Sequence, residues 1–95
     1  MERETKTYTM FNDPGHGWLR VPLGDIDTEL PISRFSYKDD KYGYLEEDRD
    51  MAIFLESAGE GREIKIVEVY ENDDSFIREL DSFRSYNYQI QYRNQ

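Results

Sequence analysis

The single histidine, His16, stands between two glycines in Gly15-His16-Gly17. An accessible imidazole there could accept or donate a proton near neutral pH. General-base work also needs a nucleophile, and spacing supplies none. Ser36 and Ser75 are distant in sequence, and neither sits in a recognised nucleophile turn. Gly-His-Gly is far too short for a phosphate loop. Its glycines could still let the backbone approach a ligand closely. The structural alternative is a turn histidine bonded to neighbouring backbone.

A second cluster is acidic. Glu46-Glu47-Asp48-Arg49-Asp50 places four carboxylates in five residues. Hard divalent cations take such oxygens, but the spacing is not that of an EF-hand loop, so no metal and no other cofactor is expected. Acids at a helix start also cap its first turn and favour its dipole. Further on, Glu68 to Asp81 carries six acids, Glu68, Glu71, Asp73, Asp74, Glu79 and Asp81, against the one base Arg78. The formal charge is −9, from 21 acids and 12 bases. Direct binding to a nucleic-acid backbone needs a basic face, so that class is excluded. The excess acid serves solubility, or it forms an acidic face of Glu46, Glu47, Asp48, Asp50, Glu71, Asp73 and Asp74. Such a face would meet a partner protein with a basic surface, and in the extreme its carboxylates would imitate DNA phosphates.

Aromatic residues make up 15% of the chain, and eight of them are tyrosines. Trp18, Tyr37, Tyr42, Tyr44 and Tyr88 could line a pocket for a nucleotide or base, because stacking tolerates any base. A phosphate there would need Arg20, Arg34, Arg78 and Arg84 to gather around it. The aromatic side of the expected ligand pocket is His16, Trp18, Tyr37 and Tyr44. The structural alternative is an aromatic core with surface arginines.

These side chains need a scaffold, and 95 residues make one domain. A chain this short buries about 60–65% of its unfolded surface, so the core is thin and a deep cavity would compete with it. No specific nucleophile, metal or phosphate motif is present, and the expectation is a binding protein rather than an enzyme. The absence of cysteine excludes disulfides and thiolate metal sites. No apolar run approaches the roughly 18 residues of a membrane span. The charged start Met1-Glu2-Arg3-Glu4 is unlike a signal peptide. A cytoplasmic protein is expected.

The local patterns give the elements. Thr5 to Phe11 is rich in β-formers and reads as a strand. Asn12-Asp13-Pro14-Gly15 reads as a turn, because Asp can bond its own backbone and Pro presets φ. Gly17 to Val21 is a second strand, with Trp18 and Arg20 on one face and Leu19 and Val21 on the other. Pro22 to Leu30 has room for a short helix at most. Lys38-Asp39-Asp40-Lys41 suits a hairpin turn between two more strands, Phe35-Ser36-Tyr37 and Tyr42-Gly43-Tyr44-Leu45. Asp48 is the expected N-cap of a helix over 49–58, since Met51, Phe54, Leu55 and Ala58 share a helical face. Glu63 to Tyr70 has β-branched residues on both faces, which predicts a central strand. Asp73 or Asp74 would cap a short helix from Ser75 to Leu80. Tyr86, Tyr88, Ile90 and Tyr92 alternate with Asn87, Gln89 and Gln91, which predicts a last strand at an edge, over 85–95, able to pair between two chains as a homodimer. Together these give an α+β domain: a five- to six-stranded antiparallel sheet with one main helix and one short helix packed on one side of it.

Several strings now stand out: Asp13-Pro14-Gly15-His16-Gly17-Trp18-Leu19, Ser36-Tyr37, Tyr44-Leu45-Glu46-Glu47-Asp48 with Asp50, Asp74-Ser75-Phe76-Ile77-Arg78, and Ser82-Phe83-Arg84. In this order the chain resembles a family of small uncharacterised proteins encoded by bacteriophages and mobile plasmids. It departs from the pattern in a shorter Pro22 to Leu30 segment and an added Tyr-rich tail. The resemblance implies an accessory protein acting in a host cytoplasm, often by binding alone. The functional expectation is inhibition of a host defence or nucleic-acid-handling factor through the acidic surface. Arg78 and Arg84 stand inside these strings, so the resemblance makes them the expected anion contacts. The alternative is a protein that sequesters a nucleotide signal in the aromatic and arginine pocket of His16, Trp18, Tyr37, Tyr44, Arg78 and Arg84.

Overall fold

The computed structural model describes residues 4–84. These form strands β1 (Glu4–Asn12), β2 (Gly17–Pro22), β3 (Tyr37–Lys38), β4 (Tyr42–Glu46), β5 (Arg62–Tyr70) and β6 (Asp81–Ser82), helix α1 (Asp50–Ala58), and 3-10 turns at Leu23–Asp25 and Phe76–Glu79. The α+β class is as expected. The expected strand over 85–95 lies outside the described residues. The strands make one sheet in the order β5-β1-β2-β4-β3-β6.

Every neighbouring pair is antiparallel except β1 and β5, which run parallel with Tyr8 opposite Ile66. The connection explains the exception. β4 and β5 point the same way, so the chain must cross over the sheet between them, and α1 is that crossover. The crossover carries β5 past β2 and β1 to the edge of the sheet. The predicted central strand is therefore an outer one, with Val67 53% and Ile66 38% exposed.

Strand alternation sends apolar side chains to both faces. Leu19 and Val21 of β2 join Tyr8, Met10, Leu45 and Phe54 under α1. Phe54 is 1% exposed, and its ring meets Tyr8 edge-on at 5.4 Å. Met51, Leu55 and Ala58 border this core, as their spacing predicts. Trp18 points the other way and packs with Tyr44 and Ile77. The short Phe76–Glu79 turn thus covers the face opposite α1, not the same one. Two apolar faces on β2 and β4 each demand cover, and one helix can supply only one.

The helix start also differs from expectation. α1 begins at Asp50, and Asp48 does not cap it. Glu46, the last residue of β4, reaches over the turn instead. Its carboxylate accepts from the amides of Asp48 at 3.0 Å, Arg49 at 2.8 Å and Asp50 at 3.4 Å. The Arg49 and Asp50 amides are among those a helix leaves unpaired at its start. Past the helix, Gly61 takes φ +73°, a left-handed turn that a side chain would strain.

Candidate functional site: an open aromatic groove

Asp13 is the anchor of one wall. It follows β1, where Pro14 and Gly15 turn the chain back, and its Oδ1 accepts from the amides of Gly15 (3.0 Å) and His16 (2.9 Å). Its Oδ2 accepts from the Ser75 amide at 2.9 Å. Arg78 then grips the same carboxylate with Nε at 2.7 Å and Nη2 at 3.0 Å. The Asp13 side chain is wholly buried. The Arg78 guanidinium first, then the three amides against the cost of burial, hold its carboxyl well below the usual carboxylate range. The guanidinium also lies 5.1 Å over the Trp18 ring.

Asp50 anchors the opposite wall. It sits in the first turn of α1, fully buried, and accepts from the Ser33 amide (3.1 Å), the Ser33 hydroxyl (2.7 Å), the Ser36 hydroxyl and Arg49 Nη1 (2.9 Å). Ser36 Oγ in turn accepts from the Glu46 amide at 3.0 Å. The loop from Pro31 to Ser36 is thereby tied to the start of the helix. Segments far apart in the chain are thus tied together: the Asp13 turn holds the Ser75–Arg78 segment, and Ser36 holds the Glu46–Asp50 segment.

Between these walls lies a groove of about 740 Å³. Its floor is Trp18, with Tyr37 beside it at 6.2 Å and His16 at 6.0 Å on the rim. Arg78 and Arg84 line it from the segment after β5. Pro31, Ser33 and Phe35 form the facing loop, and Glu46, Asp48 and Arg49 close one end. Five of the six expected pocket residues therefore meet here: His16, Trp18, Tyr37, Arg78 and Arg84. Tyr44 does not line it. Its ring is buried against Phe76 at 5.7 Å, and its hydroxyl donates to Asp39 Oδ2 at 3.1 Å. Burial and then this bond to a carboxylate push the Tyr44 phenol up to about 12.

The His16 ring makes no hydrogen bond or ion pair among the described residues. The glycines around it make room for the chain itself: a Cβ on Gly15 would meet Arg78 Nη2 at 3.0 Å, and one on Gly17 would meet Asn12 Oδ1 and Met10 Cε at 2.7 Å. Arg78 is neutralised by Asp13. Arg84 has no carboxylate partner among the described residues, and its Nε donates to the Ile32 carbonyl. Phe35, 64% exposed, offers an open ring face. It was missed as a site residue because it reads as part of a strand, and no spacing rule marks a loop aromatic that a buried aspartate holds in place.

The acids of the expected acidic face take different roles. Asp50 is buried and structural. Glu46 caps α1, and Glu47 accepts from the Gly17 amide at 3.1 Å. Asp48, Asp73 and Asp74 are exposed, Asp74 lying 3.9 Å from the Arg78 guanidinium, and Glu71 is half-buried. Length explains the split: the short Asp50 and the longer Glu46 and Glu47 each reach a donor that folding would otherwise leave bare. Among the described residues no group of acids and histidine is arranged to hold a metal ion, and no helix is long and apolar enough to cross a membrane. No family model, no curated protein and no solved structure matches the chain.

Proposed function

We propose that this is a non-enzymatic binding protein that holds a planar, anionic small molecule of the nucleotide class in the groove over Trp18. The observation that carries the reading is convergence. His16, Trp18, Tyr37, Arg78 and Arg84 come from four separate segments and line one open cavity of about 740 Å³. That volume suits a drug-sized ligand. The exposed Phe35 ring and half-buried Tyr37 give a base stacking surfaces, and Arg84, which bonds no carboxylate among the described residues, gives a phosphate a charge. Both walls are anchored by buried aspartates, so little ordering remains to be done on binding. The resemblance to phage- and plasmid-encoded proteins fits sequestration of a host nucleotide signal.

The test is a thermal-shift panel of mononucleotides, cyclic mononucleotides and cyclic dinucleotides, followed by calorimetric titration. A ligand at ten times its Kd stabilises the fold by about 1.4 kcal/mol, or a rise of roughly 6–11 °C for a domain this small. A panel with no shift at millimolar ligand removes the nucleotide reading.

A further inference from the structure

We propose that the free edge of β5 is a homodimer interface, in which two copies pair β5 with β5 antiparallel about a two-fold axis at Ile66. This goes beyond the groove and does not depend on it. β5 is paired along one side to β1 over its whole length, and no strand covers its other side among the described residues. Both its faces carry open apolar side chains beside charged ones: Val67 is 53%, Val69 38%, Ile66 38% and Tyr70 74% exposed. A bare, nine-residue, β-branched edge is a template for another strand.

The sequence of the strand selects a second copy as the occupant, and selects its register. Arg62 and Lys65 stand toward the start of β5, and Glu68 toward its end, with Glu71 just beyond. An antiparallel copy reverses that order. Centred on Ile66, the pairing sets Ile66 against its own copy, Lys65 against Val67, Ile64 against Glu68, and Arg62 against Tyr70. Arg62 then also lies diagonal to Glu68 of the other chain on the same face. No like charges are opposed. Moving the centre to Lys65 opposes Lys65 to itself. Moving it to Val67 opposes Glu63 to Glu71. Directly opposed like charges destabilise a strand pair, so Ile66 is the favoured centre. With the two-fold axis normal to the sheet, both helices lie on one face of a continuous twelve-strand sheet, twice the six of one copy.

The interface is one strand wide, so the dimer is weak and concentration-dependent. Each copy carries −9 overall, so salt strengthens it by screening the long-range repulsion. A basic foreign strand on the same edge would show the opposite salt dependence.

The cysteine-free chain allows a direct test. Opposed residues of an antiparallel pair sit about 4.5–5.5 Å apart at Cα, within disulfide reach. Ile66→Cys should oxidise to a covalent dimer at least ten times faster than Val67→Cys, which the register places opposite Lys65. Sedimentation of the wild type over two decades of concentration should show dimer rising with protein and with salt. Ile66→Lys should give a monomer whose melting temperature at low concentration is unchanged. A wild type that stays monomeric throughout, with Lys65 acting as an edge guard, overturns the proposal. Equal cross-linking of the two cysteine variants overturns the register, and a dimer that salt dissolves overturns the pairing argument.

Discussion

Asp13 and Arg78, 65 residues apart in the chain, are joined by two hydrogen bonds of 2.7 and 3.0 Å, with the carboxylate wholly buried and the guanidinium 32% exposed. That clasp fixes the Phe76–Glu79 turn to the β1–β2 hairpin and presses Arg78 onto Trp18. It makes the turn beneath His16 and one wall of the groove a single unit.

Asp13→Asn should destabilise the fold by about 3 kcal/mol at pH 7, the low end of the range for breaking a buried pair because Arg78 keeps some solvent. The folded carboxyl titrates well below its unfolded value of about 3.9. Its stabilisation is therefore complete above that value and drains away as pH falls below it. Urea unfolding of both proteins from pH 7 to pH 2 should show the gap closing below about pH 4. A gap that stays constant to pH 2 would assign the loss to something other than charge.

Asp50 and Asp48 should behave in opposite ways although they are two residues apart. Asp50→Ala leaves Arg49 and the Ser33 and Ser36 donors without their acceptor and should cost about 3–5 kcal/mol. Asp48→Asn, on the surface, should change stability by less than about 0.5 kcal/mol. Chemical denaturation of the pair checks both numbers.

Tyr8 and Tyr44 should titrate late. Burial, and then bonds to Asp25 and Asp39 respectively, push both phenols up to about 12. A raised phenol stabilises the fold fully below its unfolded value of about 10, and that contribution is lost as pH rises toward the folded value. Tyrosinate absorbance should show a late phase that disappears in Tyr8→Phe/Tyr44→Phe. Persistence of that phase in the double variant would move the assignment to other tyrosines.

Phe35→Ala separates binding from folding. The ring is 64% exposed, so melting should barely change. If the ring stacks on the ligand, affinity for whichever nucleotide shifts the wild type should fall by about 1–3 kcal/mol. Unchanged affinity would place the ligand elsewhere.

Phe54→Ala tests the core under α1. Phe54 is 1% exposed, and its loss should cost about 3–5 kcal/mol, read by urea unfolding. A cost under 1 kcal/mol would mean that α1 is not a principal cover of the sheet.

Local pattern determined much of this protein. The Asp13-Pro14-Gly15 turn, the two-faced β2, the Met51–Phe54–Leu55 stripe and the groove residues His16, Trp18 and Tyr37 follow from spacing and residue type, because alternation, helical period and turn chemistry act over a few residues. Tertiary structure alone decided the rest. Glu63 to Tyr70 reads as central because both faces are apolar, but strand order depends on where the α1 crossover delivers the chain, and no local pattern encodes that. Glu46, Asp48 and Asp50 read as one acidic patch, but burial separated them. A carboxylate's role is set by the donors that the fold brings within about 3 Å, and for Asp13 those donors lie as far along the chain as Arg78.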